Sequence, residues 1–257
     1  MALAPAFMGY FVYSYFMNTL NNATPKIAAG LNGMALYSWS VSIPSLGLAV
    51  GTILAGKLSD IYGRRAIMLG SVIILILGTI LSSLSPTFVT FIAARTLHCL
   101  GMGAIAPLCY AVIGDVFTGG ARSKWIGLLN IPVGICSLIG PPLGGWFVDN
   151  MSWRYLYWIA LPLLIVCLVT VPIGVPSIVN RDVKRKIDVL GIIIVAIASS
   201  TAIVGLSLAG TYGWGSNRVL ALLGVSLISW IVFIQNESRV QEPVGYQLLQ
   251  KQCRNVD

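Results

Sequence analysis

The chain has 257 residues, 57% of them hydrophobic and 9% charged, with a formal net charge of +8. A soluble globular domain carries about 25% charged residues, so this composition, with a mean hydropathy of +0.87, excludes the soluble, disordered and collagen-like classes and places the chain in a membrane. The basic balance reads as Lys and Arg gathered in loops on one side of a bilayer rather than as a nucleic-acid surface.

A helix needs about 20 mostly apolar residues to cross a bilayer, and the fixed charges punctuate the chain on that scale. Residues 1–25 carry no Lys or Arg, so the first apolar stretch lacks the basic start of a cleavable signal peptide and reads as a retained helix. The expected spans are about 5–25, 41–56, 67–84, 88–112, 124–147, 155–176, 188–210 and 218–236. A turn at Ser82-Ser83-Leu84-Ser85-Pro86-Thr87 divides the third from the fourth, which must then carry Arg95 across the membrane. The fold class is therefore all-α integral membrane protein with about eight transmembrane helices. The polar stretch from Gln235 to Asp257 holds no further span.

Placing the N-terminus in the cytoplasm puts Lys57, Arg64, Arg65, Arg122, Lys124, Arg181, Lys184, Arg185, Lys186, Arg239, Lys251 and Arg254 inside, twelve of the 16 basic residues. Lys26, Arg154 and Arg218 fall outside. That asymmetry predicts both termini in the cytoplasm. Cys99, Cys109, Cys136 and Cys167 lie in apolar stretches, and with Cys253 they form no CxxC or metal-ligand spacing, so they read as packing residues. The chain contains no HExxH, nucleophile elbow or phosphate loop, which argues against an enzyme, a metal centre or a bound cofactor.

Between the second and third spans runs Gly56-Lys57-Leu58-Ser59-Asp60-Ile61-Tyr62-Gly63-Arg64-Arg65. It reads as a tight turn hinged by two glycines, with one carboxylate among basic residues at a helix end, an arrangement suited to a conformational latch. Charge that merely sets topology would account for Lys and Arg but not for this spacing. Arg122, which with Asp115 brackets the next loop on that side, is expected to pair with Asp60 or Asp115, the alternative being that it simply faces water. The fourth span carries Arg95, His98, Gly101 and Gly103, and the fifth carries Gly140-Pro141-Pro142-Leu143-Gly144-Gly145 with Cys136 one turn earlier.

These three runs, in this order, resemble the signatures of the major facilitator superfamily: its loop motif, its Arg-x-x-Gln-Gly-x-Gly pattern and its antiporter-type Gly-Pro-x-x-Gly-Gly. His98 stands where Gln is usual and Cys99 where Gly is usual. Asp149 to Tyr155, Ile187 to Gly191 and Tyr212 to Gly215 are similar to the fourteen-helix drug:proton antiporter branch. The resemblance covers essentially the whole chain. It implies a six-helix N-terminal transporter domain over 1–180, two additional helices over 181–236, and a cytoplasmic tail over 237–257, with the C-terminal six-helix domain of the branch expected to be missing.

The branch usually has an Asp in its first helix. Here one alignment puts Asn21 at that position and another puts Phe16, so the carboxylate is absent. What the resemblance implies is a plasma-membrane transporter that exports amphipathic small molecules by alternating access, coupled to protons. The other expectation is a non-transporting fragment, or a half that needs a complementary C-terminal half or a second copy. Candidate residues for the substrate or proton path are Arg95, His98, Asn18, Asn21 and Asn22. An Arg within a span costs about 2.5–3.5 kcal/mol on insertion scales, and His98, three residues on, shares its face and titrates near neutrality in water. Snorkelling is the alternative for Arg95, but the motif it resembles faces it into the bundle and favours a functional role, whereas for His98 a packing role is the more common one. Trp125 and Asn130 could face the same space, whereas Trp146, Trp153, Tyr155 and Trp158 fit an interfacial aromatic belt.

Overall fold

The computed structural model describes residues 3–175 and 189–237, and every regular element in them is helical. Two compact units divide the chain, Met1–Arg185 and Lys186–Asp257. The first contains α1 (Leu3–Gly30), a single 3-10 turn, α2 (Tyr37–Tyr62), α3 (Arg64–Ser83), α4 (Phe88–Val116), α5 (Gly119–Leu129), α6 (Ile131–Asn150) and α7 (Arg154–Gly174). The second contains α8 (Val189–Tyr212) and α9 (Asn217–Glu237). The segment 238–257, which holds nearly all of the expected tail, lies outside the described residues.

Among the described residues seven stretches are long and apolar enough to cross a bilayer, with α5 and α6 forming one stretch, Gly119–Asn150. The eighth expected span is α1. It is 28 residues long, about 42 Å at 1.5 Å per residue, but Asn18, Asn21, Asn22 and Lys26 dilute its apolar content. The break between α5 and α6 falls at Asn130, two residues before Pro132, whose ring nitrogen has no hydrogen to give a preceding carbonyl. Several helices run past the charges expected to bound them. α1 continues through Lys26, and α2 continues through Lys57 and Asp60, because a charge near a helix end leaves the apolar slab without leaving the helix.

Helix α4 is the hub of the first unit, packed against α1, α2 and α3. Glycines set these crossings. A Cβ on Gly51 of α2 would overlap the Leu100 carbonyl oxygen, one on Gly103 of α4 would overlap that of Leu48, and one on Gly47 would lie 2.5 Å from that of Thr96. The pair Gly47 and Gly51 is a GxxxG step, which lets helix backbones approach where lipid supplies no hydrophobic drive. On the opposite side, a Cβ on Gly101 would sit 2.7 Å from the backbone nitrogen of Leu75 in α3.

Helix α1 packs against α4, α6 and α7. The Tyr15 hydroxyl donates to the Leu156 carbonyl of α7 at 3.0 Å. Capping also follows from sequence: Thr87 and Thr90 form a reciprocal capping box that starts α4. In the second unit α8 and α9 form a hairpin, in which Ser226 Oγ donates to the Ala198 carbonyl at 2.8 Å.

Gly51 and Gly56 of α2 make a matched test. Gly51→Val forces α2 away from α4 and should destabilise the bundle by about 1–3 kcal/mol or more, read as a lower Tm in detergent. Gly56 has open space around its missing Cβ, so Gly56→Ala should hold or raise Tm, since Ala is favoured over Gly in a helix by about 1 kcal/mol.

Candidate functional site

The motif between α2 and α3 turns at a single residue. Gly63 has φ 90° and ψ 147°, a conformation that L side chains avoid. Gly56, expected to be a second hinge, instead lies inside α2, since nothing in its neighbourhood interrupts the backbone ladder. Beyond the turn, Arg64 gathers the carboxylates. Its Nη2 lies 2.7 Å from Asp60 Oδ1, and its Nε donates to Asp115 Oδ2 at 3.1 Å. Its Nη1 donates to Ser59 Oγ.

One guanidinium therefore ties the ends of α2, α3 and α4 together. Arg122 does not take the expected part. It is exposed and its guanidinium rests beside Gly114, while both carboxylates it was expected to meet are held by Arg64. Arg65, half-buried, follows Arg64 at the start of α3.

A cavity of about 330 Å³ opens between α1, α2 and α4. Its polar wall includes Asn21, Thr24, Tyr37, Ser40, Arg95 and His98. Its apolar wall includes Phe16, Leu20, Pro44, Leu48 and Met102. Arg95 is only 6% exposed. Its Nη1 donates to Thr24 Oγ1 at 2.5 Å and its Nη2 to Asn21 Oδ1 at 3.4 Å, with the Phe91 ring 5.9 Å away. Snorkelling is thus replaced by burial against α1.

His98 is fully buried. Its backbone lies where a Cβ on Gly78 of α3 would go, and the Phe16 ring meets its imidazole edge-on at 4.4 Å. Among the described residues neither ring nitrogen has a hydrogen-bond partner.

Of the three asparagines of α1, only Asn21 lines the cavity. Asn18 donates to the Ser14 carbonyl and accepts from Ser137 of α6 at 3.2 Å. Asn22 donates to the Asn18 carbonyl. Asn21 and Thr24, three apart, share the face that meets Arg95. Phe16, the alternative for the branch's Asp position, packs on His98 instead, so Asn21 is the residue facing Arg95.

Trp125 and Asn130 are elsewhere: Trp125 stacks on Phe117, and Asn130 accepts from Tyr110, which also bonds Tyr10 at 2.7 Å. In the α6 motif, a Cβ on Gly140 would lie 2.9 Å from Asn18 Cβ, and one on Gly144 2.8 Å from the Thr19 carbonyl. These two glycines seat α6 on α1, while Gly145 faces open space and Pro141 is half-buried. Cys136 is buried at the same seam, beside the Phe11 carbonyl.

The family model of the Major Facilitator Superfamily matches residues 6–235. The chain belongs to the major facilitator superfamily. An uncharacterised MFS-type transporter of Mycobacterium tuberculosis (strain ATCC 25618 / H37Rv) is 36% identical over 218 residues, covering 84% of this chain and 32% of that protein. The multidrug transporter protein MdtP of Bacillus subtilis (strain 168) is 31% identical over 226 residues, covering 88% and 42%. The chain therefore spans less than half the length of these superfamily relatives.

Among solved structures, a POT family transporter, PepTSo, matches with a TM-score of 0.61 at 17% identity, covering 91% of this chain and 52% of that one. A D-xylose-proton symporter matches at 0.58 and 15%, covering 90% and 66%. At those identities the likeness is one of fold. The matched relatives are themselves named as MFS-type and multidrug transporters.

Two contacts had no signal in a span-by-span reading. Arg154 at the start of α7 donates to the Ser83 and Ser85 carbonyls at 2.9 and 3.0 Å, capping the C-terminal end of α3. Lys26 pairs with Asp149. Both join ends of different helices, which only the packing brings together. Arg64→Ala should lower stability by about 1 kcal/mol, because two part-exposed ion pairs are lost. Arg122→Ala should stay within about 0.5 kcal/mol. Thermal unfolding in detergent reads the difference.

Proposed function

We propose that this chain is the N-terminal part of a plasma-membrane efflux transporter of the drug:proton antiporter branch, exporting amphipathic small molecules by alternating access, with both termini in the cytoplasm. The observation that carries this reading is the cavity between α1, α2 and α4, whose wall combines a buried cation with apolar side chains. A membrane-embedded charge facing a cavity is a mark of a transport path, and substrates of such folds bind near the midplane between repeats.

In this reading residues 1–180 form the six-helix domain and 181–236 the two added helices. The Arg64 cluster is a latch: it holds the ends of α2, α3 and α4 in one arrangement and lets them part in another. Rocking requires a second wall for the cavity, supplied by a complementary six-helix domain or by a second copy of the chain.

Proton coupling needs a group that gains and loses a proton within reach of the path. Asp60 and Asp115 are bound to Arg64 and Asp149 to Lys26. His98 has no described hydrogen-bond partner through which to pass a proton. The coupling carboxylate is therefore assigned outside the described residues, and His98→Gln should keep the pH-gradient dependence of efflux. Loss of that dependence, with substrate binding intact, would return the proton to His98.

The test is drug accumulation in a pump-deficient bacterium, with the chain expressed alone and together with a complementary C-terminal half. Energy-dependent efflux should appear in at least one arm, and Arg95→Ala should abolish it. Asp60→Asn should reduce efflux while leaving membrane insertion unchanged. Normal membrane expression with no efflux in either arm overturns the transport reading.

A further inference from the structure

Arg95 carries a permanent charge at 6% exposure, and a buried cation is tolerated when an anion offsets it. The groups that meet its guanidinium are formally neutral: Thr24 Oγ1, Asn21 Oδ1 and the Cys99 thiol beside it. The described carboxylates of this unit are Asp60, Asp115 and Asp149. Each is paired with another base: the first two with Arg64, the third with Lys26. Among the described residues of the unit, then, the positive charge in the cavity wall has no counter-ion.

Three further features bear on what would supply one. The bond to Asn21 is long at 3.4 Å, so Nη2 is open to a stronger, charged acceptor, which hydrogen-bonds about twice as well as a neutral one. His98 lines the same cavity, fully buried, with both ring nitrogens unpartnered among the described residues, so a small turn of its ring toward a ligand's second acceptor atom would satisfy an N–H that is otherwise unpaired. Phe16, Leu20, Leu48 and Met102 supply an apolar floor beside these donors. A volume of about 330 Å³ lies within the range of small-molecule sites.

We propose that this cavity is a seat for an amphiphilic monoanion. Its carboxylate, or an equivalent single anionic head, sits on Arg95 within reach of His98, and its apolar body lies against Phe16, Leu20 and Met102. The proposal names a substrate class for the transport reading and rests on it only for turnover, since binding needs no second domain to move. Two sources share this chemistry: a free organic acid and the head of an anionic lipid. Asn21 tunes the site. A carboxylate at that position would neutralise Arg95 from within, and the neutral amide leaves the charge for a ligand.

The experiment is isothermal titration of the full 257-residue chain in lipid nanodiscs with three probes of one shape: 2-naphthoate, 2-naphthamide and 2-naphthylmethylammonium. In phosphatidylcholine discs naphthoate should bind at least about tenfold more tightly than the amide, the scale of a hydrogen-bonded charge, and the ammonium should bind more weakly still. Arg95→Gln should remove that preference.

Asn21→Asp retains Arg95 and supplies its counter-ion, so a folded Asn21→Asp protein should lose about tenfold in naphthoate affinity and bind the ammonium better. Discs containing phosphatidylglycerol separate the two sources. Loss of naphthoate binding there assigns the seat to the lipid head, and retained binding assigns it to a free acid. Equal binding of naphthoate and amide, preference for the ammonium, or no binding of any probe overturns the proposal. Efflux of cationic drugs without naphthoate binding would sink the anion seat and leave the transport reading standing. Naphthoate binding without efflux would do the reverse.

Discussion

Helix α4 lies so close to both α2 and α3 that backbone meets backbone, and the placement of its buried polar side chains depends on that proximity. With Gly47, Gly51 and Gly103 at one seam and Gly78 and Gly101 at the other, the helices leave no room for a side chain at those five positions. The long polar side chains of α4 are therefore directed toward α1, where Thr24 and Asn21 meet Arg95 and Tyr10 meets Tyr110. A single larger residue in either seam would move α4 and with it the floor of the cavity. In a bilayer, where lipid competes equally for apolar surface, such close approach is a main source of helix association.

The charges of this unit fall into three levels. Arg64, Asp60 and Asp115 close one end, Lys26 and Asp149 close the other, and Arg95 stands between them without a described carboxylate. The end clusters are part-exposed, so each pair contributes only about 1 kcal/mol or less. Ties of that size are suited to being made and broken during a conformational cycle. Arg95 is of a different kind, because a buried charge left without its counter-ion weighs several times more than an exposed pair.

Charge spacing alone located most of the membrane-crossing helices, because fixed charges are the one feature a hydrocarbon slab rejects. The Ser82–Thr87 turn and the burial of Arg95 could likewise be read from residue order. What residue order hid was register. Asn18, Asn21 and Asn22 are equally polar, yet the seam made by Gly140 and Gly144 turns Asn18 toward α6 and leaves Asn21 for Arg95. Asp115 and Arg122 bracket one loop, but the carboxylate is taken by Arg64 from across the bundle. Gly56 and Gly63 look alike in a motif, and only the second has a backbone that other residues avoid. In the first two cases a three-dimensional neighbour, and in the third the local backbone, decided between residues that local chemistry left equivalent.

The polarity of α1 has a consequence for biosynthesis. Among the described residues it is the one long helix of this unit that falls short of the apolarity expected of a membrane span, and it is made before the helices that satisfy it. Its polar side chains find their partners far downstream: Thr24 with Arg95, 71 residues later, and Tyr15 with the Leu156 carbonyl, 141 residues later. Until α4 emerges, neither Thr24 and Asn21 nor Arg95 has the other to shield it from lipid. Integration of α1 is thus a joint event with α4 rather than a solitary one, and the insertion machinery must shelter α1 until α4 arrives.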